Sequence, residues 1–232
     1  MTQAAQLYDR DYAKHYRAFD ERLATDRGFA VFSPWLGSLC RSFGRPIDVL
    51  DLGCGTGRYF ASLTGVRELV GLDASADMLE QARAPIDAAR VTAGRVTLVR
   101  GDAATHAFEP GRFDLIYSVG VLGEHIPLTA NLIRRVAGWL APSGRLAFTA
   151  VHPESETVAP TWKRRLGRAA MPFAVGPLDR WLHERWCSHG LYADERRVSE
   201  VLAAARLAPV SIERVQSVHL HCLVVAKKSA SE

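Results

Sequence analysis

Three glycines at alternate positions, Gly53, Gly55 and Gly57, break the run VLDLGCGTGRYF between Val49 and Phe60. Glycine at such positions lets a backbone turn sharply and approach a ligand closely, and the start of a following helix would offer free N–H groups. Two phosphate-binding patterns fail here. From Gly53 the dinucleotide fingerprint requires Gly or Ala where Arg58 stands, and no G-K-[ST] follows for a P-loop. An acid, Asp51, closes the preceding apolar run instead; it would repel a pyrophosphate and attract an ammonium group. The loop thus fits a ligand with a cationic end, the alternative being an ordinary glycine-rich turn.

Two further acids follow in order. Asp73 ends VGLD, about twenty residues past the first glycine, the spacing at which a carboxylate accepts hydrogen bonds from ribose hydroxyls. Nicotinamide enzymes share that feature. Beside it, Ser75 suits a helix N-cap and Met78 suits either a ligand contact or the core. Asp102, in VRGDA, could accept an exocyclic amine of adenine; a bare turn aspartate would look the same.

These residues need elements to carry them. From Ile47 onward short apolar runs alternate with longer amphipathic ones: strand IDVLDL, helix GRYFASLTG, strand ELVGLDAS, a helix from Ala76 that Pro85 ends or kinks, then strands RVTLVRGDA and RFDLIYSVGVL. A helix over PLTANLIRRVAGWLAPSG, closing at Pro142 to Gly144, leads to strand RLAFTAVHP. Such alternation predicts right-handed crossovers and a mainly parallel sheet covered on both faces, with ligands at the carboxyl ends of its strands. After Asp194 a helix precedes two runs, VSIERVQSV and HLHCLVVAKK, that read as adjacent strands with a tight turn between them. His219 and His221 share one face of the last strand and read as structural.

Two stretches lie outside the alternation. Residues 1–46 carry Tyr8, Tyr12 and Tyr16, one aromatic stripe if helical. Residues 153–193 hold Trp162, Trp181 and Trp186, with His183 and His189, among Lys163, Arg164, Arg165, Arg168, Arg180 and Arg185. They fit a cap that grips a flat or anionic ligand, or equally an amphipathic helix pair with a solvated basic face.

Composition sets the outer limits. The 232 residues, 48% hydrophobic and 23% charged, fit one domain with an appendage. A net charge of +4, dispersed along the chain, favours nucleic acid only weakly. Cys40, Cys54, Cys187 and Cys222 form no C-x-x-C pair, which argues against zinc and redox motifs and for a reducing compartment. The polar start and the lack of a long apolar run predict a cytoplasmic protein that needs no membrane.

With VLDLGCGTGRYF, VGLDASADML, VRGDAATHAF, FDLIYSVGVLGEHI and LAPSGRLAFTAVHP in this order, the chain resembles the class I S-adenosylmethionine-dependent methyltransferases. The resemblance implies an α/β, Rossmann-like doubly wound, seven-stranded, mainly parallel sheet with a C-terminal antiparallel hairpin and a small helical cap. It divides the chain into an N-terminal helical lid (1–46), a cofactor-binding core (47–152), a cap insertion (153–193) and a C-terminal helix and hairpin (194–228). It also implies roles toward S-adenosyl-L-methionine: Asp51, Gly53 and Gly55 along the methionine moiety, Asp73 on the ribose, Ala74 and Met78 against adenine, Asp102 and Ala103 at the adenine edge, Val119 near the sulfonium, and Tyr16 as a cap.

Methyl transfer from a sulfonium is an in-line displacement that asks the protein to align a nucleophile and exclude water. Some acceptors also need a base. Glu124 and His125, in VLGEHIP, and His152, in FTAVHPE, stand where the family places acceptors, and a neutral imidazole can take a proton near pH 7. Each histidine could instead be a cap or loop anchor. The loop lacks a [DNS]-P-P-[YF] motif, so DNA adenine is not the expected substrate, and no metal is expected. The reading is O-methylation of a small molecule, aromatic or anionic, such as a secondary metabolite; N- or C-methylation, an RNA-directed enzyme, a nicotinamide oxidoreductase and a non-catalytic cofactor-binding scaffold are the alternatives.

Overall fold

The structure, a computed structural model, describes residues 9–22, 26–155 and 192–229. Seven strands form one sheet in the order β3-β2-β1-β4-β5-β7-β6. They are β1 (Ile47–Leu52), β2 (Val66–Asp73), β3 (Arg95–Arg100), β4 (Phe113–Ser118), β5 (Leu140–Val151), β6 (Leu207–Gln216) and β7 (Leu220–Lys228). Pairings from β3 through β5 are parallel, while β7 runs antiparallel to both β5 and β6. The expected terminal hairpin is therefore present, with its second strand laid inside its first.

Strand order reverses between β1 and β4, so the crevice for a ligand opens where these two strands end. Both are buried along nearly their whole length, as their apolar runs require in a sheet covered on two sides. Alternation along β1 sends Leu50 and Leu52 into one core, with Val70, Ile116, Leu146 and Phe148. Ile47 and Val49 enter the other, with Leu69, Leu115 and Tyr117.

Among the described residues five α-helices flank the sheet: α1 (Arg10–Asp20), α2 (Arg27–Arg41), α3 (Ala76–Ala82), α4 (Ala130–Trp139) and α5 (Glu195–Ala204). Each starts at a residue whose side-chain oxygen accepts a backbone N–H of the first turn: Asp9, Asp26, Ser75, Thr129 and Asp194. Phe32, Leu36 and Cys40 recur at four-residue spacing and bury one face of α2. Fully burying a side chain such as Leu36 contributes roughly 1.5–3 kcal/mol.

One expected helix is absent. Over GRYFASLTG the chain makes tight turns and a single 3-10 turn, Phe60–Ser62. Gly53, Gly55 and Gly57 take φ of +83°, +53° and +75° and Gly65 takes +65°, which leaves too few right-handed residues for a helix before β2 begins. The loop consequently lacks the long helix dipole that phosphate sites exploit. The helix expected to close at Pro142–Gly144 ends at Trp139, because Leu140 already pairs with Phe113 across the sheet. Most of the 153–193 cap and Tyr8 lie outside the described residues.

Candidate functional site

Asp51 lies one residue from the end of β1, in register with Gly71 of β2 on one side and Tyr117 of β4 on the other. Its carboxylate is 3% exposed and accepts a 2.6 Å hydrogen bond from the Tyr117 hydroxyl. Burial pushes its pKa up to about 7; the Tyr117 hydrogen bond opposes this and the charge of Asp73 adds to it. A buried carboxylate with this bias gains stabilisation from any cation placed beside it.

The glycine loop hangs on β2. The N–H groups of Gly53 and Cys54 both donate to the Leu72 carbonyl, at 2.8 and 3.0 Å. Gly55 N–H donates to Asp73 Oδ2 and Ser75 N–H to Oδ1, both at 2.9 Å, so the Asp73 carboxylate is oriented by backbone on both oxygens. Burial nevertheless raises its pKa. A Cβ on Gly71 would come within 2.9 Å of Cys54 Sγ, so the bare backbone of β2 makes room for the loop.

Side chains close over the glycines. A Cβ on Gly53 would stand 2.6 Å from Val121 Cγ2, in the loop after β4, and one on Gly55 would stand 3.2 Å from Met78 Cε. Gly53 therefore has two reasons to be glycine, its positive φ and its close neighbour. Ser118 hydroxyl donates to the Leu52 carbonyl at 2.8 Å, and Gly120 N–H donates to Thr149 Oγ1 at 2.9 Å. These bonds fix the start of the β4 loop against β1 and β5. After β3, Asp102 Oδ1 accepts from Ala104 N–H at 2.8 Å, and the Asp102 carbonyl accepts from Thr105 and His106. Ala103 turns inward and is buried.

A clasp joins this loop to the N-terminal helices. Arg58 Nε lies 3.1 Å from Asp20 Oδ1, and Arg58 Nη2 lies 3.1 Å from Asp26 Oδ2. Asp20, at the end of α1, is 1% exposed and also accepts from the Thr56 hydroxyl. The guanidinium covers the Phe19 ring at 5.0 Å. The residue that breaks the dinucleotide pattern thus has a positive job, tying the glycine loop to α1 and to the cap of α2.

A family model described as a methyltransferase domain matches residues 49–144, from β1 to the start of β5. The chain is 36% identical over 101 residues to a tocopherol O-methyltransferase of Arabidopsis thaliana, covering 42% of this chain and 28% of that one. It is 41% identical over 105 residues to a trans-aconitate 2-methyltransferase of Methylobacterium radiotolerans, covering 44% and 37%. The matches thus span about a third of these relatives' lengths. The fold matches a magnesium protoporphyrin IX methyltransferase of Synechocystis PCC 6803, solved with bound S-adenosylmethionine, at a TM-score of 0.65 and 16% identity, covering 99% of each chain. Residues 49–144 thus match a methyltransferase domain, and the whole chain shares its fold with a methyltransferase solved with S-adenosylmethionine.

Asp51, Gly53, Gly55, Asp73, Ala74, Met78 and Val119 gather where β1, β2 and β4 end, with Asp102 and Ala103 at the end of β3. Tyr16 stacks on Tyr12, centroids 6.1 Å apart, along α1; burial, foremost, raises its phenol pKa. The two histidines part company. His125 is solvent-exposed. His152 is 1% exposed, its Nδ1 accepting from Glu154 N–H at 3.1 Å and its Nε2 standing 3.2 Å from Glu195 Oε2. With both ring nitrogens engaged, His152 anchors the end of β5 to α5 and offers no lone pair to a substrate, which corrects its expected role as a base. His152, Glu195 and Cys222 place ligand-type atoms within 4.8 Å of one another, yet the hydrogen bonds of His152 and the ion pair of Glu195 with Arg214 account for that cluster.

Sequence reasoning missed Tyr117, Val121 and the Arg58 clasp. Tyr117 was within reach, since the period of a strand puts it beside Asp51 once β1 and β4 are neighbours. The clasp joins Asp20, Asp26 and Arg58 across the fold, and no local pattern signals it.

Proposed function

We propose that this chain transfers a methyl group from S-adenosyl-L-methionine to a small molecule, with oxygen as the acceptor atom. The observation that carries the reading is the pair of carboxylates, buried Asp51 and half-buried Asp73, flanking a glycine loop with no long helix behind it. A ligand with an ammonium at one end and a ribose in the middle suits that pair; a pyrophosphate does not. The cofactor, when bound, supplies an electrophilic methyl on a sulfonium.

In this reading Asp51 holds the ammonium, Gly53 and Gly55 leave space along the methionyl chain, and Asp73 accepts from the ribose hydroxyls. Ala74 and Met78 pack on adenine, Asp102 and Ala103 border its edge, and Val119 flanks the sulfonium. Tyr16 closes the site from α1, held there by the Arg58 clasp. Removal of the acceptor's proton falls to the β4 loop, which carries Glu124 and His125. The named substrates of the relatives, tocopherol and trans-aconitate, are small molecules, which supports that class of acceptor.

The test is calorimetric titration of the chain with S-adenosylhomocysteine, NAD and NADH in turn. Micromolar binding of the first alone is expected, weakened at least 100-fold in Asp73→Ala, since a hydrogen bond to a charged group is worth about 1.5–3 kcal/mol and this carboxylate also orders the loop. Binding of a nicotinamide cofactor instead would sink the assignment.

A further inference from the structure

Beyond those two carboxylates, one more acid at the same end of the sheet is half-buried and turns an oxygen inward. Glu124 follows β4 in the loop that Val121 presses onto Gly53. Its Oε1 is buried and accepts no hydrogen bond among the described residues, and burial lifts its pKa to about 7. Asp51 has a phenol, Asp73 two N–H groups and Asp20 the Thr56 hydroxyl. Among the described residues Glu124 Oε1 has no such donor. Desolvating a carboxylate without a donor is costly, so a fold that keeps one has a use for its proton affinity.

The groups facing it come from three elements. From α1, Tyr16 lies near enough that the Glu124 charge helps raise its phenol pKa. From its own loop, a Cβ on Gly120 would meet Oε2 at 4.0 Å. From β7, His221 Nε2 stands 3.7 Å from Oε1, longer than a hydrogen bond but closable by a small side-chain rotation. The ring of His219 is the next titratable group behind, its centroid 5.8 Å from that of His221.

The proton on His221 can be assigned from its neighbours. Nδ1 lies 2.9 Å from the His219 carbonyl and 3.2 Å from Ser217 Oγ; the Ser217 hydroxyl donates to that same carbonyl, which only accepts, so Nδ1 carries a hydrogen of its own. The lone pair of Nε2 therefore points at Glu124. Phe32 packs edge-on against the ring, centroids 5.1 Å apart, and holds that orientation. Burial keeps this imidazole neutral, with its pKa down to about 4.

We propose that Glu124 is the general base that takes the proton from a phenolic or enolic hydroxyl of the methyl acceptor, with Nε2 of His221 as the positioning group that receives or shares it. The assignment rests on the methyltransferase reading above. As the acceptor's O–H bond breaks, its electron pair forms the new bond from oxygen to the methyl carbon. The carbon–sulfur bond breaks with its pair returning to sulfur, which becomes a neutral thioether. The proton resides on the Glu124 carboxyl, hydrogen-bonded to His221, until solvent removes it.

Three measurements on the full chain test this. Calorimetry comes first, and failure of the wild type to bind S-adenosylhomocysteine overturns the underlying reading and this one with it. With binding present, Glu124→Gln should keep that affinity within threefold. Its transfer of labelled methyl from S-adenosylmethionine to catechol, protocatechuate and 4-hydroxybenzoate should fall at least 100-fold, as loss of a general base does. Glu124→Asp should recover part of the rate, and with 4-nitrophenol, already ionised at pH 8, the Glu124→Gln deficit should shrink to a few fold. Equal rates in wild type and Glu124→Gln, or a chain that binds cofactor product yet methylates no phenol of the panel, overturn the proposal. Independently of turnover, 15N-histidine NMR of the S-adenosylhomocysteine complex should show the His221 Nε2 resonance shifting with a midpoint near pH 7. That shift should vanish in Glu124→Gln; a resonance indifferent to the substitution also overturns the pairing.

Discussion

The two halves of the strand-end crevice are built on opposite rules. Where β1, β2 and β3 end, every acid is held: Asp51 by Tyr117, Asp73 by Gly55 and Ser75, Asp102 by Ala104. Where β4 ends and β7 begins, Glu124 Oε1 has no hydrogen-bond donor among the described residues and His221 turns a lone pair toward it. Fixed carboxylates suit a ligand whose charge and hydroxyl positions do not change. A carboxylate poised near neutrality suits a step in which a proton moves. On the proposed reading, the difference gives binding and chemistry separate acids, and the close approach of Val121 to Gly53 joins the two halves.

The hardest way to break that arrangement is at Gly53. Alanine there must adopt φ near +83° and push a Cβ to 2.6 Å from Val121 Cγ2. A non-glycine residue in this backbone region costs about 1–3 kcal/mol, before the steric overlap. Gly53→Ala should therefore lower stability by about 3 kcal/mol in chemical denaturation, or shift the loop and weaken S-adenosylhomocysteine about 100-fold. Adding Val121→Ala should restore part of the loss by removing the overlap while leaving the backbone strain. If the double variant is no better than the single one, the two halves are not coupled through this contact.

The placement of the glycine loop and of Asp51 and Asp73 at the strand ends was legible in the sequence because its determinants are local. A glycine triplet, an acid ending each strand and an N-cap at Ser75 each occupy a few consecutive residues, and the alternation of runs from Ile47 sets the sheet that aligns them. Even there the helix expected after Gly57 was lost, since the φ signs of four glycines outweigh the helical look of RYFASL. The acceptor half was read less well because its determinants are distant in the chain. Glu124 and His221 stand 97 positions apart and come together only because β7 inserts beside β5. His152 looked like a base by its place at a strand end, yet the fold spends both its nitrogens. Its neighbour in that argument, His125, faces solvent while Glu124 beside it turns in.

A middle-sized effect should separate the two halves by pH. Burial lifts the Asp51 pKa to about 7, above its unfolded value, so between the two the folded state holds a proton that the unfolded chain has released. Its contribution to stability is therefore greatest at low pH and declines as pH rises toward 7. Binding of an ammonium runs the other way, because it requires the ionised carboxylate. S-adenosylhomocysteine affinity should fall about tenfold for each pH unit below 7 and level off just above it. Calorimetry from pH 5 to 8 on wild type and Asp51→Asn decides the matter: the variant should bind weakly with little pH dependence. A wild-type affinity constant over that range would remove Asp51 from the ammonium site, whatever Glu124 does.

The smallest effect belongs to the clasp, and it tests whether the lid is part of the binding half at all. Arg58 donates a hydrogen bond to Asp26 through Nη2 and pairs its charge with Asp20 at 3.1 Å from Nε, two directions that a planar fork reaches together. Lysine keeps the charge but has a single ammonium on a shorter reach, so Arg58→Lys can satisfy one acid well and not both. Asp20 stays hydrogen-bonded to Thr56 in either case, which limits the damage to about 1 kcal/mol of stability. Loosened at α1, Tyr16 should cover the cofactor less firmly, and S-adenosylhomocysteine should bind some three- to fivefold more weakly, an effect of about 1 kcal/mol. The 15N signal of His221 should stay where it is, because α2 still packs Phe32 against that ring. A change at His221 as large as the change in affinity would mean that the lid serves both halves, and that the division between held and mobile acids does not follow the elements that carry them.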